Sequence, residues 1–248
     1  MENNYWIVDD LLIFKPKFNE ELTNYYEIIN KYKKVMFSNY NDPLIAIETN
    51  NDFNYVFKNN YAHSSFNTEI DFSNNIKLTH LTVGYGFNKA IYLSNNINLT
   101  HLTFEYKFNQ EINLSNNINL THLTFKYDFN KEIDLSNNIN LTHLTFCDLF
   151  NKEIDLSNNI NLTHLTFGCV FNQEINIPFD VKSLNMTGCN NQYIIDNLHN
   201  NIEELTIYEN DLNLDNLPNS IKKIYITNYK KEINNLPNLI EHLELGRL

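Results

Sequence analysis

Five histidines, His80, His101, His122, His143 and His164, recur at intervals of 21 residues. Imidazole is the side chain best suited to metal ligation, proton transfer or pH sensing near neutrality. Two residues after each histidine stands a threonine, so Thr82, Thr103, Thr124, Thr145 and Thr166 form a parallel set. Glu111, Glu132, Glu153 and Glu174 repeat with the same spacing, with Asp134 and Asp155 close by, and Cys147, Cys169 and Cys189 are the thiols. Catalysis needs unlike groups converging on one point, such as a nucleophile, its base and a donor for developing charge. Here like groups recur in register instead. Structural zinc needs four converging ligands and calcium six to eight oxygens, whereas a straight row offers any one point only two near neighbours. No Gly-rich phosphate loop, H-E-x-x-H or C-x-x-C occurs. These features predict no enzyme, no cofactor and no metal. The histidines read as a solvated row with pH sensitivity as the sharper alternative, the threonines as a row that could order water, the acidic residues as a charged edge, and the cysteines as reduced thiols.

Rows of this kind require a scaffold that repeats. Phe66, Phe87, Phe108, Phe129, Phe150 and Phe171 also recur every 21 residues, each followed by Asn (Asn67, Asn88, Asn109, Asn130, Asn151, Asn172). Between them runs a nearly constant string, Leu-Ser-Asn-Asn-Ile-Asn-Leu-Thr-His-Leu-Thr-Phe, as at Leu93–Phe104. Leu102, Thr103 and Phe104 alternate like a strand with one buried face, so a single coil cannot bury its own apolar side and must stack on the next. The period and the Leu-x-x-Leu-x-Phe core of Leu99–Phe104 fit a leucine-rich-repeat solenoid. The fold class expected is an α/β or mainly β repeat solenoid: a parallel sheet of about nine coils behind an N-terminal cap containing a helix. Strands are expected around Leu81, Leu102, Leu123, Leu144, Leu165, Leu184, Leu205, Ile224 and Leu243. The phenylalanines should form a buried spine, and the Asn after each should bond the turn backbone of adjacent coils. With 5 Gly and 5 Pro in 248 residues, asparagine is expected to make the bends, through its tolerance of left-handed backbone and its bonds to its own turn.

The later copies change character. Phe171-Asn-x-x-Ile-x-Ile-Pro178, Leu217-Pro-Asn-Ser-Ile221 and Leu236-Pro-Asn-Leu-Ile240 resemble the FNIP repeat, a relative of the leucine-rich repeat abundant in proteins of social amoebae and of giant DNA viruses that infect amoebae. The resemblance covers roughly residues 61–248 and departs in the middle coils, where Leu-Ser-Asn-Asn replaces Leu-Pro. It implies a protein-binding scaffold, and also a second reading. FNIP repeats often follow an F-box, so residues 1–60, with Asp9-Asp10-Leu11-Leu12-Ile13-Phe14 loosely similar to its start, could make the chain a substrate receptor of a ubiquitin ligase.

The division expected is a capping region at 1–60, regular repeats at 61–180 and degenerate repeats at 181–248. Phe18, Leu22, Tyr25, Tyr26, Ile29 and Tyr32 have helical spacing, with Asn19 as N-cap and Lys31, Lys33 and Lys34 in the last turn. Val35–Phe37 and Tyr55–Phe57 read as short strands. The charge of −12 disfavours nucleic acid and anionic membranes as partners. No apolar stretch is long enough to span a bilayer and no leader is evident, so a cytoplasmic location is expected (host cytoplasm if viral); of the Asn-x-Thr sequons at Asn98, Asn119, Asn140, Asn161 and Asn185, the first four share one repeat position and read as copies of one accident. The partner expected is a protein, bound on the open sheet face: His80, His101, His122, His143 and His164, Thr103, Thr124 and Thr145, then the variable positions Glu105, Lys126, Tyr106 and Tyr127. A homodimer through the last strand, Leu243-Glu244-Leu245, is a further expectation, because an uncovered edge must be blunted by Glu241, Glu244 and Arg247 or paired with another chain.

Overall fold

Alternating Leu-x-Phe positions make strands, and strands with one apolar face stack. The computed structural model describes residues 3–50, 62–208, 211–227 and 233–246. Its strands are β1 (Tyr5–Val8), β2 (Leu11–Phe14), β3 (Lys34–Phe37), β4 (Ile70–Asp71), β5 (His80–Val83), β6 (Ile91–Tyr92), β7 (His101–Phe104), β8 (His122–Phe125), β9 (His143–Phe146), β10 (His164–Phe167), β11 (Ser183–Thr187), β12 (Glu204–Tyr208), β13 (Lys223–Thr227) and β14 (His242–Gly246). Twelve of them form one sheet in the order β1-β2-β3-β5-β7-β8-β9-β10-β11-β12-β13-β14, while β4 and β6 pair separately. Every neighbouring pair in the large sheet is parallel except the β1–β2 hairpin. The fold is a parallel-sheet solenoid, and the nine strands expected from the sequence are β5 and β7 to β14.

Register is set by the repeat: Leu102 lies beside Leu81 and Leu123, and His101 beside His80 and His122. Inside each coil two phenylalanine columns interlock. Phe104, Phe125, Phe146 and Phe167 end their strands and stack at 3.8–4.0 Å on the spine residues Phe108, Phe129, Phe150 and Phe171. All eight are at most 1% exposed.

The bends work differently from the expectation. Left-handed backbone occurs, among the described residues, only at Asp9, His63, Asn216 and Gly188. Asparagine therefore shapes the coils with its side-chain amide rather than with its backbone. Asn117 is fully buried, and its Nδ2 donates to the carbonyls of Leu93 and Asn96 in the preceding coil, both at 3.0 Å. Asn96, Asn138 and Asn159 repeat this exchange. Each of these carbonyls also accepts a backbone N–H of its own coil, Leu93 from Asn96 and Asn96 from Leu99 at 3.0 Å, so the bend is closed by backbone and tied to the next coil by that coil's amide. The Asn after each spine Phe forms a second such column: Asn109 Oδ1 accepts from the Asn130 backbone N–H at 3.0 Å, as Asn88 does from Asn109. The expected bonds to a side chain's own turn are made by Asp71, Asn113, Asp134 and Asp155, each accepting from the serine two residues on.

The N-terminal region corrects the helix expectation. A 3₁₀ turn, Leu22–Asn24, and one α-turn, α1 (Tyr26–Ile29), replace the helix starting at Asn19. Asn19 is no N-cap: its Oδ1 accepts from the Asn67 N–H at 2.9 Å. Phe18-Asn19 is thus the first copy of the Phe-Asn pair, buried against Phe66 at 5.6 Å. Its helical spacing with Leu22 and Ile29 is the spacing of residues that line a coil interior. The one two-turn helix near this end, α2 (Pro43–Asn50), was not anticipated. Asp42-Pro43 signals it, because Asp42 Oδ1 accepts from the Leu44 and Ile45 N–H groups and Pro needs no such partner. A third short helix, α3 (Gln192–Asp196), opens on Asn191. Leu11–Phe14 is a sheet strand with Leu12, Ile13 and Phe14 fully buried, so the segment similar to an F-box start opens no helical bundle. The Tyr55–Phe57 strand and Arg247 lie outside the described residues.

Candidate functional site

A strand of sequence His-Leu-Thr-Phe turns Leu and Phe inward and leaves His and Thr on the open face. Sheet spacing then sets the imidazoles face to face. Successive rings from His80 to His164 lie 4.1–4.2 Å apart and within 10° of parallel. Each Nδ1 is 2.9 Å from the hydroxyl of the preceding threonine, as in Thr100–His101 and Thr121–His122. That hydroxyl donates to the carbonyl of the equivalent threonine one coil back, Thr100 to Thr79 at 3.0 Å. It therefore accepts from Nδ1–H, and the bare Nε2 points outward.

Partial burial pushes His101, His122 and His143 down to about 4, with other imidazoles of the column adding to the effect; His80 is lowered by burial first and by Lys34 second. The three central imidazoles, His101, His122 and His143, are thus neutral at pH 7. Parallel rings aim parallel lone pairs, which cannot converge on one cation at the roughly 2 Å zinc requires. Among the described residues no three His, Cys, Asp or Glu side chains are grouped to hold a metal.

The open face is not uniformly available. α2 covers its N-terminal end, where Ala46 packs on Ile13 and Met36, and Thr82, next in register, is buried. Thr103, Thr124 and Thr166 are half-buried and Thr145 is buried. The row that varies after the strand divides into two kinds of position. Gly84 and Gly168 are glycine for packing reasons, since a Cβ would collide with Phe37 and Ser64 in one case and with Asp148 in the other. Glu105 and Lys126 pair across adjacent coils at 2.8 Å with side chains only 13% and 23% exposed. They neutralise each other rather than standing out as separate charges.

One position on, Tyr85, Tyr106 and Tyr127 stack at 4.7 and 4.3 Å, and the column ends in Asp148 and Cys169, joined by an Sγ–Oδ1 contact of 3.3 Å. No thiol is in a disulfide; burial pushes Cys147 up to about 12 and Cys189 up to about 11. Both stay protonated and unreactive at neutral pH. The acidic row, Glu111, Glu132, Glu153 and Glu174, is exposed on a different edge, with Lys131 and Lys152 beside it.

Past β10 the rows change chemistry in a way the sequence reading did not anticipate. The threonine before each histidine becomes Lys182, Glu203, Lys222 and Glu241, and the histidine becomes Ser183, Glu204, Lys223 and His242. Glu203 bonds Lys222 at 2.8 Å and lies 3.7 Å from Lys182, while Glu204 meets Lys223 at 3.5 Å. The Glu203 carboxyl is held below its ordinary range by Lys222 and then Lys182. Aligning the strands at intervals of 19 and 21 would have revealed this alternation.

Comparisons with known proteins agree with this geometry. Residues 208–247 match the family model described as FNIP Repeat. No curated protein matches the chain in sequence. Among solved structures, it is similar to CroV588 of a giant virus, described as a novel circular LRR protein, at 27% identity and a TM-score of 0.62 over 99% of this chain. An internalin (InlF) of Listeria monocytogenes aligns over 70% of the chain at 20% identity and a TM-score of 0.51. The functional domain of InlJ from the same organism, which includes a cysteine ladder, aligns over 73% at 18% identity and a TM-score of 0.51. The chain spans 42%, 56% and 42% of those three chains respectively. The fold is that of leucine-rich-repeat proteins, a scaffold generally suited to protein binding. Among the described residues no helix is long and apolar enough to cross a membrane.

Proposed function

We propose that the chain is a non-enzymatic scaffold that binds a protein partner on the open face of its sheet. The observation that carries this reading is the contrast between a constant His-x-Thr frame and the column beside it, where stacked Tyr85, Tyr106 and Tyr127 give way to Asp148 and Cys169. Tyrosine supplies a large amphipathic contact area with few rotatable bonds, which suits it to interface centres. The neutral imidazoles of His101, His122 and His143 and the closed Glu105–Lys126 pair lower the charge presented by the middle of this face, which favours a desolvated contact. A net charge of −12 argues for a protein rather than a nucleic acid or an anionic membrane. Three cysteines outside any disulfide support a reducing compartment such as the cytoplasm.

Affinity capture from cells, compared among variants, tests the reading. The pair Tyr106→Ser/Tyr127→Ser should abolish capture of the specific partner while the fold persists. The exchange Glu105→Lys/Lys126→Glu should weaken capture, because it keeps the ion pair but reverses the field presented to the partner. The edge variant Glu132→Lys/Glu153→Lys should capture normally. Binding that survives the tyrosine and charge changes but fails on the edge would refute the open-face assignment.

A further inference from the structure

Between the buried Asn of each bend and the Leu that enters the core stand two residues, and the first of them is apolar yet excluded from the interior. In five successive coils it is Ile76, Ile97, Ile118, Ile139 and Ile160, and in the next it is Phe179. They are 61%, 52%, 49%, 48%, 61% and 67% exposed. Single exposed apolar residues need no explanation, but a continuous row of six does. The row is held in line by asparagine side chains bonded to its backbone. Asn98, Asn119, Asn140 and Asn161 donate through Nδ2 to the carbonyls of the preceding coil's isoleucine at 2.8–2.9 Å, and Asn201 to that of Phe179 at 3.0 Å. With steps of about 4.8 Å, the ridge is roughly 24 Å long. It ends where the equivalent residue becomes Asn200 and then Asn219.

Its ends are oppositely charged. The residue after the apolar one is Asn98, Asn119, Asn140 and Asn161 in the middle coils, but Lys77 at one end and Asp180 at the other, both exposed. We propose that this ridge is a self-association surface, packed antiparallel against the same ridge of a second copy. A two-fold axis between Ile118 and Ile139 sets Ile118 on Ile139, Ile97 on Ile160 and Ile76 on Phe179. The same axis brings Lys77 of each copy to Asp180 of the other, whereas a parallel arrangement would oppose like charges. The neutral asparagines between the ends keep the chain's negative charge out of the contact. Six half-exposed side chains with their flanking amides offer on the order of 500 Å² per copy, so about 1,000 Å² in total, the lower bound for a specific interface. The complex is therefore weak, with Kd on the order of 10 µM. The ridge precedes the strands and the variable tyrosine column follows them, so a partner on the open face and a second copy on the ridge occupy different sides.

Sedimentation equilibrium of the full chain from about 1 to about 200 µM reads the association directly. The wild type should dimerise within that range. Ile118→Asp/Ile139→Asp should be monomeric throughout, with an unchanged far-ultraviolet spectrum. Lys77→Asp and Asp180→Lys should each weaken the dimer about tenfold, since each change acts at both ends of a two-fold contact. The two combined should restore wild-type affinity. Leu245→Glu, on the exposed strand β14, should leave the dimer intact. A monomeric wild type, a dimer indifferent to the isoleucine changes, a double charge exchange that fails to restore, or dissociation by Leu245→Glu would each overturn the proposal. The two charge variants alter exposed residues only, so the test stands even if the isoleucine variant folds poorly.

Discussion

Replacing His101, His122 and His143 together by Gln should remove most of the chain's loss of stability between pH 7.5 and 5.5. Each of these imidazoles is pushed down to about 4 in the folded protein, first by partial burial and then by its stacked neighbours. In the unfolded chain they titrate near 6.5, so at pH 5.5 the unfolded form carries each proton about 90% of the time and the folded form only about 3%. The unfolded state binds more protons, so stability falls as pH falls. The contribution is complete above about pH 6.5, declines below it, and stops declining near pH 4, where the folded state takes up protons too. One such histidine accounts for about 1.4 kcal/mol at pH 5.5, and three for about 4 kcal/mol. Their outer edges face water, which screens part of this, so a loss of about 2 kcal/mol is the expected difference between wild type and variant. Urea midpoints measured at both pH values on both proteins give the comparison. Asp134, Asp155 and Glu203, whose carboxyls are held below their ordinary range, lose that advantage only at lower pH and equally in both proteins. Equal losses in wild type and variant would refute the argument and leave the histidine column without a thermodynamic role.

Three other outcomes follow from the same geometry. Phe129→Ala should destabilise by about 3–5 kcal/mol in denaturant melts, because a ring stacked on Phe125 at 3.8 Å leaves a cavity between rigid coils. Asn117→Leu should cost about 1–2 kcal/mol although it adds apolar volume, since the Leu93 and Asn96 carbonyls each keep a backbone N–H donor but lose the second one; a neutral result would show that the backbone bonds alone satisfy the bend. Nitrogen chemical shifts of the imidazoles at pH 7 should report protons on Nδ1 for His101, His122 and His143, and protons on Nε2 would mean that the threonine hydroxyls donate to the rings instead.

The 21-residue period carried most of the fold. Strict alternation in His-Leu-Thr-Phe can be satisfied only by a strand with Leu and Phe inward, and an identical strand every coil can stack only in register, so the sheet, the spine and the outward rows of His and Thr were legible from spacing. Local pattern could not decide what one coil does for another. In Asn95-Asn96-Ile97-Asn98, hydrophobicity alone would bury the isoleucine, yet Asn96 is fully buried and Ile97 is 52% exposed. Two carbonyls in the bend of the preceding coil, each already bonded once by backbone, take a second bond from the Asn96 amide, which ties the two coils together. The same limit hid the Phe18-Asn19 copy, because the Asn19–Asn67 bond joins residues 48 apart, across an insertion that breaks the period. It hid the Glu105–Lys126 pair too, where two variable residues read as separate surface charges become one half-buried contact. Periodicity specifies which face a residue occupies within its own coil; hydrogen bonds and ion pairs between coils depend on neighbours about 4.8 Å away through space but some 20 residues away along the chain, and those only the stacked structure brings together.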